Sequence, residues 1–206
     1  MNAARTILVT GFEPFGGETV NASWEAAQRL EGWAHGQFAA VARMLPCAYD
    51  ASVIEFIRAI ETLRPDAVMM TGQAARRAAV SVERFARNLD NAPAPDNRGA
   101  LRRAVKIADG APERLEATAP VSEIAGAIRE AGYPARVSTN AGGFVCNHLY
   151  FGALRHLSAL GRAIPAVFLH LPATPEQTPP RASGTRLSAA AAADALRAAA
   201  AAMVEP

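Results

Sequence analysis

The sequence predicts an α/β protein, a single-domain three-layer α/β/α sandwich with a largely parallel central sheet. Short apolar runs typical of strands alternate along the chain with segments of helical periodicity. This alternation is typical of a parallel sheet that carries helices on both faces. The 206 residues suffice for one full core, and no linker or internal repeat divides them, so we expect one domain over residues 1–206.

The first part of the chain predicts three strands and two helices. Thr6–Thr10 is an apolar run typical of a central strand. Ala22–Leu30 is a predicted helix, and Asn21 is its candidate N-cap. A strand, a helix and a buried strand are then expected at Phe38–Leu45, Ala51–Leu63 and Ala67–Thr71.

The loop Gly11–Gly17 between the first strand and the first helix is rich in glycine and phenylalanine. Its glycines match neither the dinucleotide-binding spacing nor the P-loop spacing, and no lysine follows them. Phe12 and Phe15 are unusual side chains for a phosphate-binding loop. The loop therefore favours an apolar pocket.

The next strand places a glutamate on a defined face. Val80–Phe85 alternates, so that Val80 and Val82 share one face while Glu83 and Phe85 share the other. Glu83 is either a functional carboxylate or a solvent-facing residue of an edge strand, because unpaired glutamates are rarely buried. Further elements are expected in the order helix, strand, helix, strand, helix, at Val121–Ala131, Ala135–Ser138, from Cys146 onward, Ala163–His170 and Ser188–Met203.

Composition excludes several classes of protein. The chain is 50% hydrophobic and 19% charged, which is typical of a globular protein, and its net charge of +2 does not indicate a nucleic-acid partner. No segment reaches the roughly 18 apolar residues of a membrane span, and the apolar run near the N-terminus is too short for a signal peptide. Two cysteines give neither a disulfide framework nor a zinc-ligand spacing. We expect a reducing, cytoplasmic setting, with no metal and no cofactor.

Cys146 follows a glycine-rich turn from a strand into a helix. The stretch Ser138–His148 (STNAGGFVCNH) leads into an apolar helical stripe that Gly161 closes as a candidate C′ residue. Free backbone N–H groups and the helix dipole at this position favour a thiolate, the nucleophilic form of cysteine, and can stabilise an oxyanion. A buried structural cysteine would produce the same pattern. Both interpretations remain open on this stretch alone.

A cysteine nucleophile needs a base, and His170 is the best of four histidines. His170 closes a buried strand at the sheet edge where the Cys146 turn is expected. His148 points about 200° around the helix from the cysteine, and His156 lies roughly 15 Å along the same helix. His35 lies in a loop that nothing places near a strand end.

A carboxylate should orient the imidazole of His170. Glu83 is the carboxylate best placed by the strand pattern. Asp90 and Asp96, in the turn-rich loop that follows, remain alternatives.

Five blocks of sequence occur in order along nearly the whole chain. They are VTGFEPFGGETVNASW (Val9–Trp24), GQAARRAAVSVERFARN (Gly72–Asn88), PDNRG (Pro95–Gly99), STNAGGFVCNH (Ser138–His148) and FLHLPATPEQ (Phe168–Gln177). Together they resemble the pyroglutamyl peptidase I family, the pyrrolidone carboxyl peptidases. Any one block alone would be a weak signal, whereas all five in order are specific.

The resemblance implies a cysteine peptidase of the omega or aminopeptidase type that hydrolyses the N-terminal pyroglutamyl residue from peptides through a thioester acyl-enzyme. By position, Cys146 matches the family's nucleophile, His170 its base and Glu83 its acidic residue. The substrate-binding positions that the resemblance implies are Phe12, Phe15, Asn21, Gln73, Phe144 and Val145. It also implies a homo-oligomer, a dimer or a tetramer, whose substrates are N-terminally pyroglutamylated peptides.

The chain departs from the usual family pattern in several places. Pro93 stands where an arginine is common, Ala75-Arg76-Arg77 replaces Gly-Gly-Arg, and Ala173 replaces an aromatic residue. None of these positions is a triad candidate. The alternative hypothesis is a catalytically weak or inactive homologue that binds pyrrolidone or peptide.

Overall fold

The computed structural model describes residues 5–177 and 186–205. The strands are β1 (Arg5–Phe12), β2 (Ala34–His35), β3 (Phe38–Leu45), β4 (Ala67–Gln73), β5 (Val80–Glu83), β6 (Phe85–Arg87), β7 (Arg114–Glu116), β8 (Ala135–Ser138) and β9 (Ala166–Leu171). The helices are α1 (Ala22–Ala27), which a 3-10 turn at Gln28–Leu30 extends, α2 (Tyr49–Leu63), α3 (Val121–Glu130), α4 (Val145–Ala159) and α5 (Ala189–Val204).

Seven strands form one sheet in the order β2-β3-β1-β4-β9-β5-β8. β3, β1, β4 and β9 run parallel to one another. β5 and β8 are parallel to each other, but β5 runs antiparallel to β9, and the short β2 runs antiparallel to β3. The prediction of an α/β fold with a largely parallel sheet is confirmed.

Apolar side chains cover both faces of this sheet, because successive residues of a strand point to opposite sides. In β1, Ile7 and Val9 pack into one cluster with α1, α3 and α5, whereas Leu8 packs into the other with α2 and α4. The three layers expected from the sequence are therefore present. The face that carries α2 and α4 also carries Cys146 and Phe168.

The alanine-rich tail forms the helix that its propensity predicts. Ser188 caps α5, since its hydroxyl accepts a hydrogen bond from the backbone N–H of Ala191 at 3.1 Å. Small side chains such as Ala195 and Ala199 are fully buried and let the helix lie close to its neighbours. Within residues 5–177 and 186–205, none of the helices is both long enough and apolar enough to cross a membrane.

The cysteine loop does not leave its strand at the carboxyl edge where His170 lies, although the sequence suggested that both strands end at one edge. β8 leads into the cysteine loop but runs opposite to β9. Its last residue, Ser138, pairs with Glu83, which pairs with Phe168 in the middle of β9. The loop after β8 must therefore turn back before α4 begins, which brings Cys146 over Gly72, near the carboxyl ends of β4 and β9.

Candidate active site

Cys146 lies in the first turn of α4, as the sequence predicts. The loop that precedes the helix depends on glycine, because Gly142 has φ +88° and its N–H donates to Asn140 Oδ1 at 3.0 Å. Gly143 is required for a different reason, since a Cβ there would lie 2.7 Å from the carbonyl oxygen of Asn91. These contacts fix the point at which the helix begins and hence the position of the thiol.

The thiol of Cys146 lies over Gly72, near the carboxyl end of the central strand β4. A Cβ added to Gly72 would lie 2.8 Å from Cys146 Sγ and 2.8 Å from Phe168 Cζ. On the neighbouring strand, Gly72 pairs with His170. The missing side chain of Gly72 therefore makes room for the sulfur beside His170.

His170 and Glu83 form a buried pair. His170 Nδ1 lies 2.8 Å from Glu83 Oε1, and the residues are 4% and 0% exposed. Across the antiparallel pair of β5 and β9, Ser81 is opposite His170 and Glu83 is opposite Phe168. Glu83 thus reaches the histidine as a diagonal neighbour on the same face. Of the two interpretations left open by the sequence, the buried carboxylate is the one observed.

Arg77 lies in the loop between β4 and β5 and contacts Glu83, an interaction that the sequence did not predict. Its Nη1 donates to Glu83 Oε1 at 2.5 Å, and its Nη2 donates to the backbone carbonyl of Asn140 at 2.8 Å. Tyr150 of α4 adds a hydrogen bond from its hydroxyl to the carbonyl of Glu83 at 2.9 Å. No local pattern around Arg77 could have indicated these contacts, because they depend on two loops that come together in the fold.

The protonation states differ from those expected at a helix N-terminus. Burial, and to a smaller extent the nearby Glu83 carboxylate, raise the pKa of the Cys146 thiol to about 12, although Arg77 acts in the opposite direction. Burial also lowers the pKa of His170, against the opposing effect of Glu83. Both shifts favour a neutral thiol beside a neutral imidazole at rest, in contrast to the thiolate expected at a helix N-terminus.

Glu83 remains charged although it is buried. Burial acts to raise its pKa, but hydrogen bonds from His170 and Ser138 and the charges of His170 and Arg77 outweigh it, so the pKa of Glu83 is lowered. Its Oε1 accepts hydrogen bonds from Arg77 and His170, whereas its Oε2 has no partner among the described residues. The carboxylate is held in one orientation.

The aromatic residues of the predicted pocket differ in burial. Phe12 is only 2% exposed and Val145 is fully buried, so both belong to the apolar cluster between the sheet and α4. Phe15 and Phe144 are partly exposed, with ring centroids 6.0 Å apart. This second pair is the part of the predicted pocket that faces outward beside Cys146.

Asn21 and Gln73 both make hydrogen bonds that hold the first loop. Asn21 caps α1 by accepting from the N–H of Ser23 at 3.0 Å, and it donates to the carbonyl of Glu13 at 2.9 Å. Gln73 Oε1 accepts from the N–H of Ala22 at 2.8 Å. The N-cap prediction for Asn21 is confirmed, and both side chains fix the loop that carries the phenylalanines.

The two alternative carboxylates have other partners. Asp96 accepts hydrogen bonds from the backbone N–H groups of Tyr49, Arg98 and Ala100, all at 2.9 Å. Asp90 lies 2.9 Å from His148 Nδ1. Among the described hydrogen bonds, the carboxylate that reaches His170 is Glu83.

This arrangement has the parts of a nucleophilic site. A thiol lies near a neutral imidazole that can accept its proton, and a buried carboxylate orients the imidazole and can stabilise its charged form. The unpaired N–H groups at the start of α4 can stabilise negative charge on a carbonyl oxygen that the sulfur attacks. The geometry therefore fits acyl transfer by a cysteine.

Comparisons with known proteins agree with this chemistry. The family model described as pyroglutamyl peptidase matches residues 5–206. Pyrrolidone-carboxylate peptidase 2 of Photorhabdus laumondii is 43% identical over 185 residues, which cover 90% of this chain and 84% of that protein. The pyrrolidone-carboxylate peptidase of Gloeobacter violaceus is 46% identical over 173 residues, 83% of each chain.

The fold matches as well. The crystal structure of pyroglutamyl peptidase I from Bacillus amyloliquefaciens superposes with a TM-score of 0.94 at 39% identity and covers 98% of this chain and 96% of that one. A mutant pyrrolidone carboxyl peptidase from Pyrococcus furiosus gives a TM-score of 0.91 at 31% identity, with 97% and 98% coverage. On the family match, the relatives and the shared fold, the chain belongs to the pyroglutamyl peptidase family.

Proposed function

We propose that this protein is a cysteine peptidase that removes the pyroglutamyl residue from the N-terminus of peptides. The observation that carries the proposal is the buried His170–Glu83 pair, 2.8 Å apart, next to the space over Gly72 that holds the thiol of Cys146. Membership of the family and the names of the relatives supply the reaction and the substrate class. We assign Cys146 as nucleophile, His170 as base and Glu83 as the residue that orients the base.

In the first half of the reaction, His170 takes the proton of the thiol while the sulfur attacks the carbonyl of the pyroglutamyl peptide bond. The resulting oxyanion is stabilised by backbone N–H groups at the start of α4. His170 then donates its proton to the leaving amine as the C–N bond breaks, which leaves a thioester on Cys146. Because the resting thiol is neutral, the proton transfer accompanies the attack.

In the second half, His170 accepts a proton from water, and the resulting hydroxide attacks the carbonyl carbon of the thioester. Collapse of the tetrahedral intermediate breaks the C–S bond, and the proton returns to the sulfur. The products are pyroglutamate, a shortened peptide and the original thiol. Glu83 stays charged throughout and stabilises the imidazolium each time it forms.

In the pocket we propose for the substrate, the partly exposed Phe15 and Phe144 form the accessible part, and the buried Phe12 and Val145 form the wall behind them. A pyrrolidone ring is flat, compact and uncharged, so an aromatic slot with few hydrogen bonds suits it. An N-terminal glutamate or glutamine would bring an ammonium group into the apolar slot without a counter-ion, which costs several kcal/mol. The slot should therefore reject these residues.

Hydrolysis of a fluorogenic pyroglutamyl amide beside its prolyl, glutamyl and glutaminyl analogues tests this proposal. We expect efficient cleavage of the pyroglutamyl amide alone. Comparable turnover of the glutamyl amide would contradict the pocket. Binding of pyroglutamate without any hydrolysis would favour the alternative of an inactive pyrrolidone-binding or peptide-binding homologue.

Three further expectations about the protein remain proposals. We propose that the chain acts as a single catalytic domain and assembles into a homo-oligomer, a dimer or a tetramer, which sedimentation of the purified protein would measure. We also propose a reducing, cytoplasmic setting, because a free thiol is needed for the chemistry and both Cys47 and Cys146 are free.

A further inference from the structure

We propose that Arg77 is a positioning residue of this active site, which holds the Glu83 carboxylate and the nucleophile loop in one arrangement. The inference rests on the proposed function, because it concerns the residue that orients the base. Arg77 lies outside the residues assigned to the triad and the pocket. It acts through Glu83 and Asn140, whereas the reacting atoms belong to Cys146 and His170.

The guanidinium of Arg77 joins its own loop to two other parts of the chain, β5 and the segment that leads from the end of β8 toward α4. Nη1 donates to Glu83 Oε1 on β5 at 2.5 Å and lies 3.3 Å from Ser138 Oγ at the end of β8. Nη2 donates to the carbonyl of Asn140, in the loop before α4, at 2.8 Å. A planar fork donates to these acceptors from two nitrogens in fixed geometry, whereas an ammonium group donates from a single nitrogen.

Arg77 and His170 share one oxygen of the carboxylate. Glu83 Oε1 accepts from Arg77 and is 2.8 Å from His170 Nδ1, while Oε2 has no partner among the described residues. Without Arg77, the carboxylate could rotate and present either oxygen to the imidazole. Since the side chain of Glu83 is 0% exposed and that of Arg77 only 18%, water replaces this contact poorly.

The second branch of the fork reaches the loop that sets the nucleophile. Asn140 gives its carbonyl to Arg77, and its Oδ1 accepts the N–H of Gly142 at 3.0 Å. Gly142 and the following residue lead directly to the first turn of α4, where Cys146 lies. Arg77 therefore connects Glu83 with the loop that positions Cys146.

Arg77 also sets the charge balance around His170. The charged groups that act on His170 are Glu83 from β5 and Arg77 from the β4–β5 loop, and the thiol of Cys146 from α4 lies over Gly72, the strand neighbour of His170. Arg77 contributes to keeping the pKa of His170 low, because its positive charge opposes protonation of the imidazole. Removal of this charge should therefore raise the pKa of His170, and with it the pH below which the imidazole is protonated and cannot act as a base.

The test compares three variants, Arg77→Ala, Arg77→Lys and Arg76→Ala, with the wild-type protein on the pyroglutamyl amide. Arg76 is the matched control, since it is the preceding residue in the same loop and its side chain is exposed. We expect Arg77→Ala to lower kcat by about 10–100-fold, which is the loss seen when hydrogen-bond partners that orient metal ligands are removed. KM should change little, and Arg76→Ala should behave as wild type.

The pH profile of kcat/KM separates positioning from simple loss of stability. In Arg77→Ala the acid limb should move to higher pH, because the charge that opposed protonation of His170 is gone. Arg77→Lys keeps the charge and loses the fork, so it should restore the position of the acid limb but only part of kcat. Thermal unfolding of each variant shows whether it is folded at the assay temperature.

A second readout needs no substrate. The rate at which iodoacetamide alkylates Cys146 depends on the same base, and its pH dependence should shift in Arg77→Ala in the same direction as kcat/KM. If Arg77→Ala is folded and keeps wild-type kcat and an unshifted acid limb, the inference is wrong. If the wild-type protein does not cleave the pyroglutamyl amide, the proposed function fails instead, and alkylation still reports on Arg77.

Discussion

Two buried histidines of this protein lie in nearly the same arrangement. His170 is 2.8 Å from Glu83 and His148 is 2.9 Å from Asp90, in each case through Nδ1. Both histidines are 4% exposed and both carboxylates are fully buried. An arginine donates to the same carboxylate oxygen in each cluster, Arg77 to Glu83 and Arg102 to Asp90.

The clusters differ at the second ring nitrogen. His148 Nε2 lies 3.4 Å from a second carboxylate, Asp50, which Arg102 also contacts. For His170 Nε2 no hydrogen bond is found within residues 5–177 and 186–205, and the thiol of Cys146 lies over the neighbouring strand residue. A buried histidine–carboxylate–arginine cluster does not by itself indicate a catalytic site. The cluster that we propose as catalytic differs from the other in a ring nitrogen without a described hydrogen bond, beside the strand residue over which a thiol lies.

The largest effect should follow from removal of the thiol. We expect Cys146→Ser to lower kcat/KM by at least about 10⁴-fold, because nucleophile and base act as a unit. Cys47→Ser should keep most of the activity, since Cys47 is buried and burial raises its pKa, which leaves it unreactive. Steady-state kinetics with mass spectrometry of iodoacetamide-treated protein would check both variants. Inactivation of wild type through alkylation of Cys47 would contradict the assignment.

Alanine replacement of the two histidines tests the comparison directly. His170→Ala should lower kcat by at least about 10³-fold, because it removes the group that takes and returns the proton. His148→Ala should act mainly on folding and reduce the free energy of unfolding by about 1–3 kcal/mol, since Asp90 loses a buried partner. Kinetics and urea unfolding of both variants measure this. Equal losses of kcat in the two folded variants would contradict the distinction between a catalytic cluster at His170 and a structural cluster at His148.

Replacement of the two carboxylates by amides should have the next smaller effect. Glu83→Gln keeps the size of the side chain but loses the charge that stabilises the imidazolium, so we expect kcat to fall by about 10²–10³-fold. The neutral resting thiol leaves no preformed ion pair to compensate. Asp90→Asn is the matched variant in the second cluster, and it should change the melting temperature more than kcat. A wild-type kcat for folded Glu83→Gln would remove Glu83 from the site.

The smallest expected effect is on the pH dependence of kcat/KM. Burial lowers the pKa of His170 below its ordinary value of 6.5, so the imidazole stays neutral, and able to accept a proton, in mildly acidic solution. The acid limb of kcat/KM should therefore lie below pH 6.5. No thiolate absorbance from Cys146 should appear at neutral pH, because burial raises its pKa to about 12.

The same shift affects stability. Between pH 6.5 and the lower pKa of folded His170, the unfolded chain binds the proton more readily than the folded protein, so the free energy of unfolding should fall as the pH falls. Urea unfolding over this range measures the slope, with His170→Ala as the control that lacks this contribution. A thiolate signal at neutral pH, or an acid limb well above pH 6.5, would instead indicate a resting thiolate–imidazolium pair.

Local patterns determined a large part of this molecule. Alternation placed Glu83 on the face opposite Val80 and Val82, and the structure has that arrangement. The glycine-rich turn before an apolar stripe located the start of α4 and Cys146 in its first turn. These features follow from backbone geometry and periodicity, which act over a few residues and can therefore be derived from the sequence.

Only the tertiary structure decided how the groups meet and which charges they carry. The direction of β8 relative to β9 depends on strand pairing far apart in the chain, and it forces the loop after β8 to turn back before it reaches the carboxyl ends of β4 and β9. Arg77 reaches Glu83 and Asn140 because two loops converge. The neutral thiol follows from burial, which outweighs the local influence of the helix N-terminus because desolvation depends on everything packed around the sulfur.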